Sequence, residues 1–343
     1  MSNNKIRVGV IGAGANTTTH HIPKLQAIDG VEVVGVCNRS RASSERVAQQ
    51  FGIPKTYGNW QEVIADPDTN AIVIGTWPYM HRRATVAALA ADKHVMCEAR
   101  MAMNAQEALA MRDASREKPH LVAQIVPSPS TLRVDNTVKR LIADGYVGDV
   151  LVIEVHGGGG FIDRDAPLHW RENFDLSGLN IMSMGIWYEA LMRWVGDAIR
   201  VLAVGKTFVR TKKDADGGTH ALRIPDHLDI IADMACGAQA HYQISNVTGL
   251  GGDPECMVFG SEGTLRFSGN KLYGGQRNDA ELQEIDIPAE EESGWRVEEE
   301  FVSAIRGNEV ITHTNFETGV KYMEFTEAVN RSMATGQAVP LPL

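Results

Sequence analysis

Residues 5–17, Lys-Ile-Arg-Val-Gly-Val-Ile-Gly-Ala-Gly-Ala-Asn-Thr, decide how the first half of the chain is read. Residues 5–11 form a short apolar run with β-branched members, which suits a strand. The run enters a glycine turn, Gly12-Ala-Gly14-Ala15-Asn16-Thr17, with helical sequence after it. In such a strand–turn–helix the first glycine permits the tight turn, and the second lets a pyrophosphate approach the backbone. Free N–H groups at the helix start then hold the anion. The third position, ordinarily Gly or Ala for close helix packing, is Thr17, followed by Thr18 and Thr19. Gly12, Gly14, Ala15, Asn16 and Thr17 are the first candidate cofactor contacts.

Outward from this turn the pattern repeats. Residues 31–37, 71–76, 93–97 and 120–126 are further short apolar runs, and helical patterns over 40–51, 81–91 and 104–116 separate them. Unalternating strands between helices predict a parallel sheet covered on both faces, an α/β Rossmann domain over residues 1–126. Asn104 with Glu107 three residues later predicts a capped helix start. The end of the second strand selects the cofactor: a carboxylate there binds the ribose of NAD, and a nearby Arg accepts the 2′-phosphate of NADP. Here the sequence is Asn38-Arg39-Ser40-Arg41, with no carboxylate. A guanidinium pairs well with phosphate, so NADP is favoured. Asn38 can still meet a ribose hydroxyl, and NAD stays open.

At roughly 100–200 residues per domain, 343 residues predict two domains. The remainder, 127–343, reads as an α+β domain with an open, mostly antiparallel sheet: 149–157, 200–209, 228–236 and 239–246 are strand-like, and 179–195 is a strongly apolar helix. No stretch approaches the ~20 apolar residues of a membrane span. Met1-Ser-Asn-Asn-Lys5 runs straight into the first strand, so no leader is expected. The net charge of −10 speaks against a nucleic-acid partner. Cys37, Cys97, Cys236 and Cys256 lack metal spacing and read as reduced thiols of a cytoplasmic protein; no metal site is expected.

Several segments resemble one family, the glucose–fructose oxidoreductase, inositol dehydrogenase and rhizopine-catabolism (Gfo/Idh/MocA) family. Thr76-Trp77-Pro-Tyr-Met-His81 resembles its T-P-x-x-x-H loop, and Lys93-His-Val-Met-Cys-Glu98-Ala99-Arg100-Met-Ala its K-H-V-x-C-E-K-P-x-A segment. Gly145-Tyr-Val-Gly148, Phe259-Gly-Ser-Glu-Gly-Thr-Leu265 and Thr335-Gly-Gln-Ala-Val-Pro340 resemble its G-x-I-G, G-T-E-G-T-L and T-G-x-P-V segments. The resemblance runs nearly end to end. It implies action on a sugar, cyclitol or related polyhydroxy compound. It also implies a homodimer or homotetramer in which another subunit covers the second-domain sheet. Thr76, Trp77, His81 and Glu98 join the candidate cofactor contacts with Asn38, Arg39 and Ser40.

The departures are equally specific. Family dehydrogenases use the lysine of E-K-P and an Asp and His in D-x-G-x-H; this chain has Ala99, Ser183 and Trp187 at those positions. Ala and Trp cannot exchange a proton as hydride moves. The lost proline also makes a cis bond at Ala99–Arg100 unexpected, since cis is cheap only before Pro. Three readings compete. One is an oxidoreductase with relocated acid–base groups. Its candidates are His169 with Arg171, Glu98 and Tyr188, with Arg100, Glu189, Asp163, Arg164, His20 and His21 as further candidates; His227 and His241 read as structural. Another is a lyase or glycosidase using transient oxidation. The third is a non-catalytic cofactor or sugar sensor, although Trp77, Tyr79, Trp170 and Trp187 suggest a shaped ligand pocket.

Overall fold

The computed structural model describes residues 5–343 and divides into two units, Met1–Pro127 with Arg296–Val320 and Ser128–Trp295 with Lys321–Leu343. Residues 1–4, part of the stretch where no leader is expected, lie outside the described residues. Sequence patterning assigns everything beyond residue 126 to the second unit, whereas Arg296–Val320 packs with the first.

In the first unit, strands β1 (Ile6–Ile11), β2 (Val31–Cys37), β3 (Lys55–Thr56), β4 (Ala71–Ile74), β5 (His94–Cys97) and β6 (Ala123–Ile125) form a parallel sheet in the order 3-2-1-4-5-6. Val8, Val10, Ile72, Ile74, Val95 and Met96 are fully buried. This is why these strands are apolar throughout: both sheet faces are covered. The covering helices are α1 (Ile22–Ala27), α2 (Arg41–Phe51), α3 (Trp60–Ala65), α4 (Pro78–Ala90) and α5 (Ala105–Arg116). Asn104 starts α5 as expected, its Oδ1 accepting the Glu107 N–H at 2.8 Å while Glu107 Oε2 accepts the Met103 N–H at 3.2 Å. Strand order reverses between β1 and β4. The crevice at that switch, outside the carboxyl ends of the strands, is where such sheets bind ligands.

The second unit carries α6 (Asp135–Ala143), α7 (Phe174–Ser177) and α8 (Met184–Val195). Its strands are β7 (Val150–Gly158), β8 (Ala198–Lys206), β9 (Thr211–Lys213), β10 (Thr219–Ala221), β11 (His227–Met234), β12 (Gln239–Ser245), β13 (Glu255–Gly260), β14 (Gly263–Ser268), β15 (Lys271–Gln276), β16 (Gln283–Glu284) and β17 (Val339–Pro340). Apart from the β9–β10 hairpin they form one sheet, 16-15-14-13-7-12-11-8-17, antiparallel at every pairing except β7–β12. Side chains alternate along each strand. Ile153, Val155, Leu228, Ile230, Tyr242 and Val258 face the core. Leu202 and Ile231, paired across β8 and β11, are exposed on the other face with Val152 and Val204. The predicted helix over 179–195 begins only at Met184, because Met182 takes a left-handed φ of 42° that breaks the turn before it.

The chain then returns to the first unit through α9 (Val297–Ile305), and α10 (Phe316–Thr335) begins there and ends in the second. The returning segment extends the β6 edge, with Ile125 N–H donating to Thr314 O at 2.8 Å and Thr314 N–H to Ile125 O at 3.1 Å. Glu300 of α9, buried, accepts from Thr312 N–H and Gln124 Nε2, both at 2.8 Å.

Candidate cofactor site and active site

The glycine turn and the end of β4 interlock. Gly12 has φ +83°, and a Cβ on it would lie 2.6 Å from the Thr76 methyl. A Cβ on Gly75 would lie 2.0 Å from Thr17 Oγ1 and 2.3 Å from Gly12 O. Thr17 at the third motif position therefore fits because Gly75, the residue that follows β4, has no side chain. Gly14 is different. Its φ is not left-handed, and a Cβ there would meet only Gly75 O, at an ordinary 3.6 Å. Nothing among the described residues requires Gly14 to be bare, which is what backbone kept clear for a ligand looks like. Nearby, Thr76 Oγ1 is buried with no hydrogen-bond partner among the described residues. The bare turn, the helix-start N–H groups and this unpaired hydroxyl fit a dinucleotide pyrophosphate and its ribose.

Asn38 does something other than meet a ribose. Its Oδ1 accepts the Ala13 N–H at 2.7 Å, and its Nδ2 donates to Ser43 Oγ at 3.0 Å and Ser43 O at 3.3 Å. Both amide hydrogens are used, so Asn38 ties the glycine turn to the β2 end. Ser40 caps α2, its Oγ accepting the Ser43 N–H at 3.3 Å, and its own hydroxyl proton can still be donated. Arg41 pairs with Glu45 at 2.9 Å on the exposed helix surface. The Arg39 guanidinium lies 6.0 Å from the Trp77 ring centre, placing that cation and that aromatic at the β2 and β4 ends.

His81 is fully buried, with Nε2 3.0 Å from Thr76 O and Nδ1 2.9 Å from Arg100 O. Burial pushes its pKa down. It braces the loops after β4 and β5 from beneath instead of facing a ligand, a correction to the direct contact expected of it. The Ala99–Arg100 peptide is cis, contrary to expectation. Glu98 accepts from Asn16 Nδ2, from His21 Nε2 at 3.0 Å and from Ala99 N–H at 3.1 Å. Burial pushes its carboxyl pKa up, but His21 and Asn16 outweigh that and hold it below the usual range.

In the second unit, His169 is exposed and opens a short 3-10 turn, its Nδ1 accepting the Arg171 N–H at 3.3 Å while Glu172 Oε2 accepts the His169 N–H at 3.0 Å. Arg171 stacks on Trp170 at 4.2 Å. Partial burial and then the Arg171 cation push the His169 pKa down, so its ring is neutral at pH 7 with Nε2 carrying the proton. Tyr188 is elsewhere: 1% exposed, stacked on Phe325 at 3.7 Å, its hydroxyl accepting the Ala198 N–H at 2.9 Å. Burial pushes its pKa up. A core phenol so engaged cannot serve as acid or base, which corrects the expectation for it. Glu189 is equally committed, holding Arg193 at 2.6 Å and the Ser128 N–H at 2.8 Å. Trp187 packs edge-on against Phe267 and over Gly157, where a Cβ would come within 2.6 Å of its ring. Ser183 precedes the first turn of α8 without a capping bond.

The sequence offers His21 as a candidate but gives no sign of Glu298, whose Oε1 lies 2.5 Å from His21 Nδ1. A local signal for that contact does not exist, since 277 residues separate the two. Among the described residues no group of three or more His, Cys, Asp or Glu could hold a metal ion, and no helix is long and apolar enough to cross a membrane.

Residues 6–125 match the oxidoreductase family with the NAD-binding Rossmann fold, and residues 136–266 match the Gfo/Idh/MocA C-terminal domain. Glucose-6-phosphate 3-dehydrogenase of Bacillus subtilis (strain 168) is 27% identical over 217 residues, 61% of this chain and 60% of that protein. Levoglucosan dehydrogenase of Pseudarthrobacter phenanthrenivorans is 25% identical over 233 residues, 63% of this chain and 58% of that protein. The match thus spans about three fifths of these relatives' lengths. A solved levoglucosan dehydrogenase in complex with NADH and levoglucosan superposes with a TM-score of 0.84 at 21% identity, covering 99% of this chain and 100% of that one. At that identity the likeness is one of fold.

Proposed function

Because the chain belongs to the Gfo/Idh/MocA oxidoreductase family, we propose that it oxidises or reduces a sugar, cyclitol or related polyhydroxy compound using relocated acid–base groups, with NADP preferred to NAD. The observation that carries the cofactor reading is Gly14, bare although neither its φ nor its neighbours require it. NADP is favoured because Asn38 is consumed internally, which leaves Arg39 and the Ser40 hydroxyl to meet the adenosine ribose. A bound nicotinamide supplies the hydride donor or acceptor. The N–H groups of Gly14, Ala15 and Asn16 hold the pyrophosphate, and Thr76 Oγ1 offers a further polar contact. Glu98, fixed by three donors, is a standing negative charge and carries no proton.

Ala99, Ser183 and Trp187 leave the proton transfer to another group. His169 takes it: partial burial, and then the Arg171 cation beside it, lower its pKa and keep its ring neutral. Substrates resembling the hexose phosphates and anhydrosugars named for the relatives are the first to screen. A titration with NADPH, NADP+, NADH and NAD+ tests the cofactor. Arg39→Asp should weaken NADPH binding at least tenfold, as loss of a charge-assisted bond of about 1.5–3 kcal/mol requires. Net turnover with wild type and its loss in His169→Gln support the enzyme reading. Product without net change in nicotinamide absorbance means transient oxidation, which the missing Lys, Asp and His also suit. Binding alone means a sensor.

The exposed row of Val152, Leu202, Val204 and Ile231 on the open sheet face supports a homodimer or homotetramer in which a second copy covers it. Sedimentation of Leu202→Glu against wild type checks this, a smaller species being expected.

A further inference from the structure

Strands β2 and β4 lie on either side of β1, so their ends stand about 10 Å apart, two strand spacings, with the glycine turn leaving between them. Arg39 is the second residue after β2, and Trp77 the third after β4. Trp77 is held as a rigid platform. It is the N-cap of α4, with φ −87° and ψ 160°, and Pro78 opens the helix; a proline confines the residue before it to such extended backbone. Where the T-P-x-x-x-H pattern carries its proline, this chain carries an indole that stays partly exposed. The Arg39 backbone is fixed from both sides, by Asn38 bonded to Ala13 and Ser43 and by Ser40 capping α2. Its side chain is exposed.

The Arg39 guanidinium lies over the Trp77 indole, 6.0 Å from the ring centre. Two other arginines stack directly on aromatic rings, Arg171 on Trp170 at 4.2 Å and Arg223 on Phe174 at 4.1 Å. The Arg39 separation exceeds these by 1.8 and 1.9 Å, too wide for close contact. A flat ring touching both planes needs about 7 Å between them, two contacts of ~3.5 Å. An exposed arginine side chain supplies the small remainder by rotating. A guanidinium can stack on an aromatic face while its edge N–H groups still reach a phosphate, and indole is the best ring partner for such a cation. We propose that Arg39 and Trp77 are the two walls of an adenine slot, the base of the dinucleotide stacking between guanidinium and indole. This rests on the cofactor reading above. Trp77 holds the ring that NAD and NADP share, whereas the Arg39 charge also meets the 2′-phosphate that only NADP carries. The adenosine half therefore binds by itself.

The experiment titrates full-length wild type, Trp77→Leu and Trp77→Phe with NADPH, NADH, ADP and nicotinamide mononucleotide by calorimetry, and follows tryptophan emission as ADP is added. Trp77→Leu should weaken NADPH, NADH and ADP alike, by about 5- to 150-fold, the range that loss of one base-on-aromatic stack gives. It should leave nicotinamide mononucleotide as it is in wild type. Trp77→Phe, which keeps a ring, should retain most of the affinity. ADP should quench the emission of wild type and leave that of Trp77→Phe unchanged, a comparison that decides the matter should Trp77→Leu fail to fold. Wild type that binds dinucleotide but shows no quench by ADP overturns the slot and leaves the cofactor reading standing. So does undiminished affinity in Trp77→Leu, or a loss in Trp77→Phe as large as in Trp77→Leu. Wild type that binds neither dinucleotide overturns both.

Discussion

Replacing Arg193 with methionine tests how the second unit holds together. Arg193 Nε lies 2.7 Å from Asp135 Oδ2 and Nη1 2.6 Å from Glu189 Oε2, with side-chain exposures of 9%, 1% and 4%. Nη2 donates to Thr131 Oγ1 at 2.9 Å and to Ser128 O at 3.2 Å. The Trp194 indole donates to Asp135 Oδ1 at 2.6 Å. Methionine matches the stem but takes the Arg193 cation away from two buried carboxylates. Removing one partner of a buried ion pair costs about 3–5 kcal/mol. For a unit of this size each kcal/mol lowers Tm by about 2–4 °C, so thermal unfolding should fall by roughly 6–20 °C. Adding Asp135→Asn and Glu189→Gln removes both stranded charges while the amide oxygen introduced in place of the Asp135 carboxylate still accepts the indole bond, and most of the loss should return. Calorimetry at fixed pH and protein concentration measures both. A loss below about 1 kcal/mol for Arg193→Met would place this network with solvent-screened surface pairs and refute the reasoning.

Gly75→Ala pushes a methyl against Thr17 and the Gly12 carbonyl and should cost about 1–3 kcal/mol in stability, read by urea unfolding; Gly14→Ala should leave stability near wild type and weaken dinucleotide binding, read by titration. Raising the His21 pKa from 6.5 to about 9 adds stability that is complete below the unfolded value and disappears as pH rises through about 9. The wild-type excess over His21→Gln should therefore shrink by roughly 2–4 kcal/mol across that window in urea unfolding, the order that linkage gives. Burial raises the thiol pKa values of Cys37, Cys97 and Cys256, while Cys236 is exposed; a thiol reagent should titrate one cysteine in the native protein and four after unfolding.

What is legible in the sequence follows from the range of each interaction. The glycine turn, the first-unit strands and the Asn104 cap are set by residues within a few positions of one another, and local patterning reports them. α3 and β3 escape because six and two residues are too few to show a period. Asn38 reads as a ligand contact, since polarity at a strand end is visible and the neighbour that consumes it, Ala13, is not. Tyr188 misleads for the opposite reason: adjacency to a catalytic position says nothing of helix face, and its face is the one stacked on Phe325. The placement of Arg296–Val320 in the first unit cannot be read at all, because strand-edge pairing between Ile125 and Thr314 leaves no local mark.

That returning segment sets a timetable for synthesis. His21 meets Glu298 only after 277 further residues have been made. At about 5–20 residues per second this is some tens of seconds during which the nascent N-terminal layer has its glycine turn but lacks the carboxylate beneath it, and β6 has a bare edge. A chain ending within the second unit lacks Glu298, so its His21 has no partner from α9.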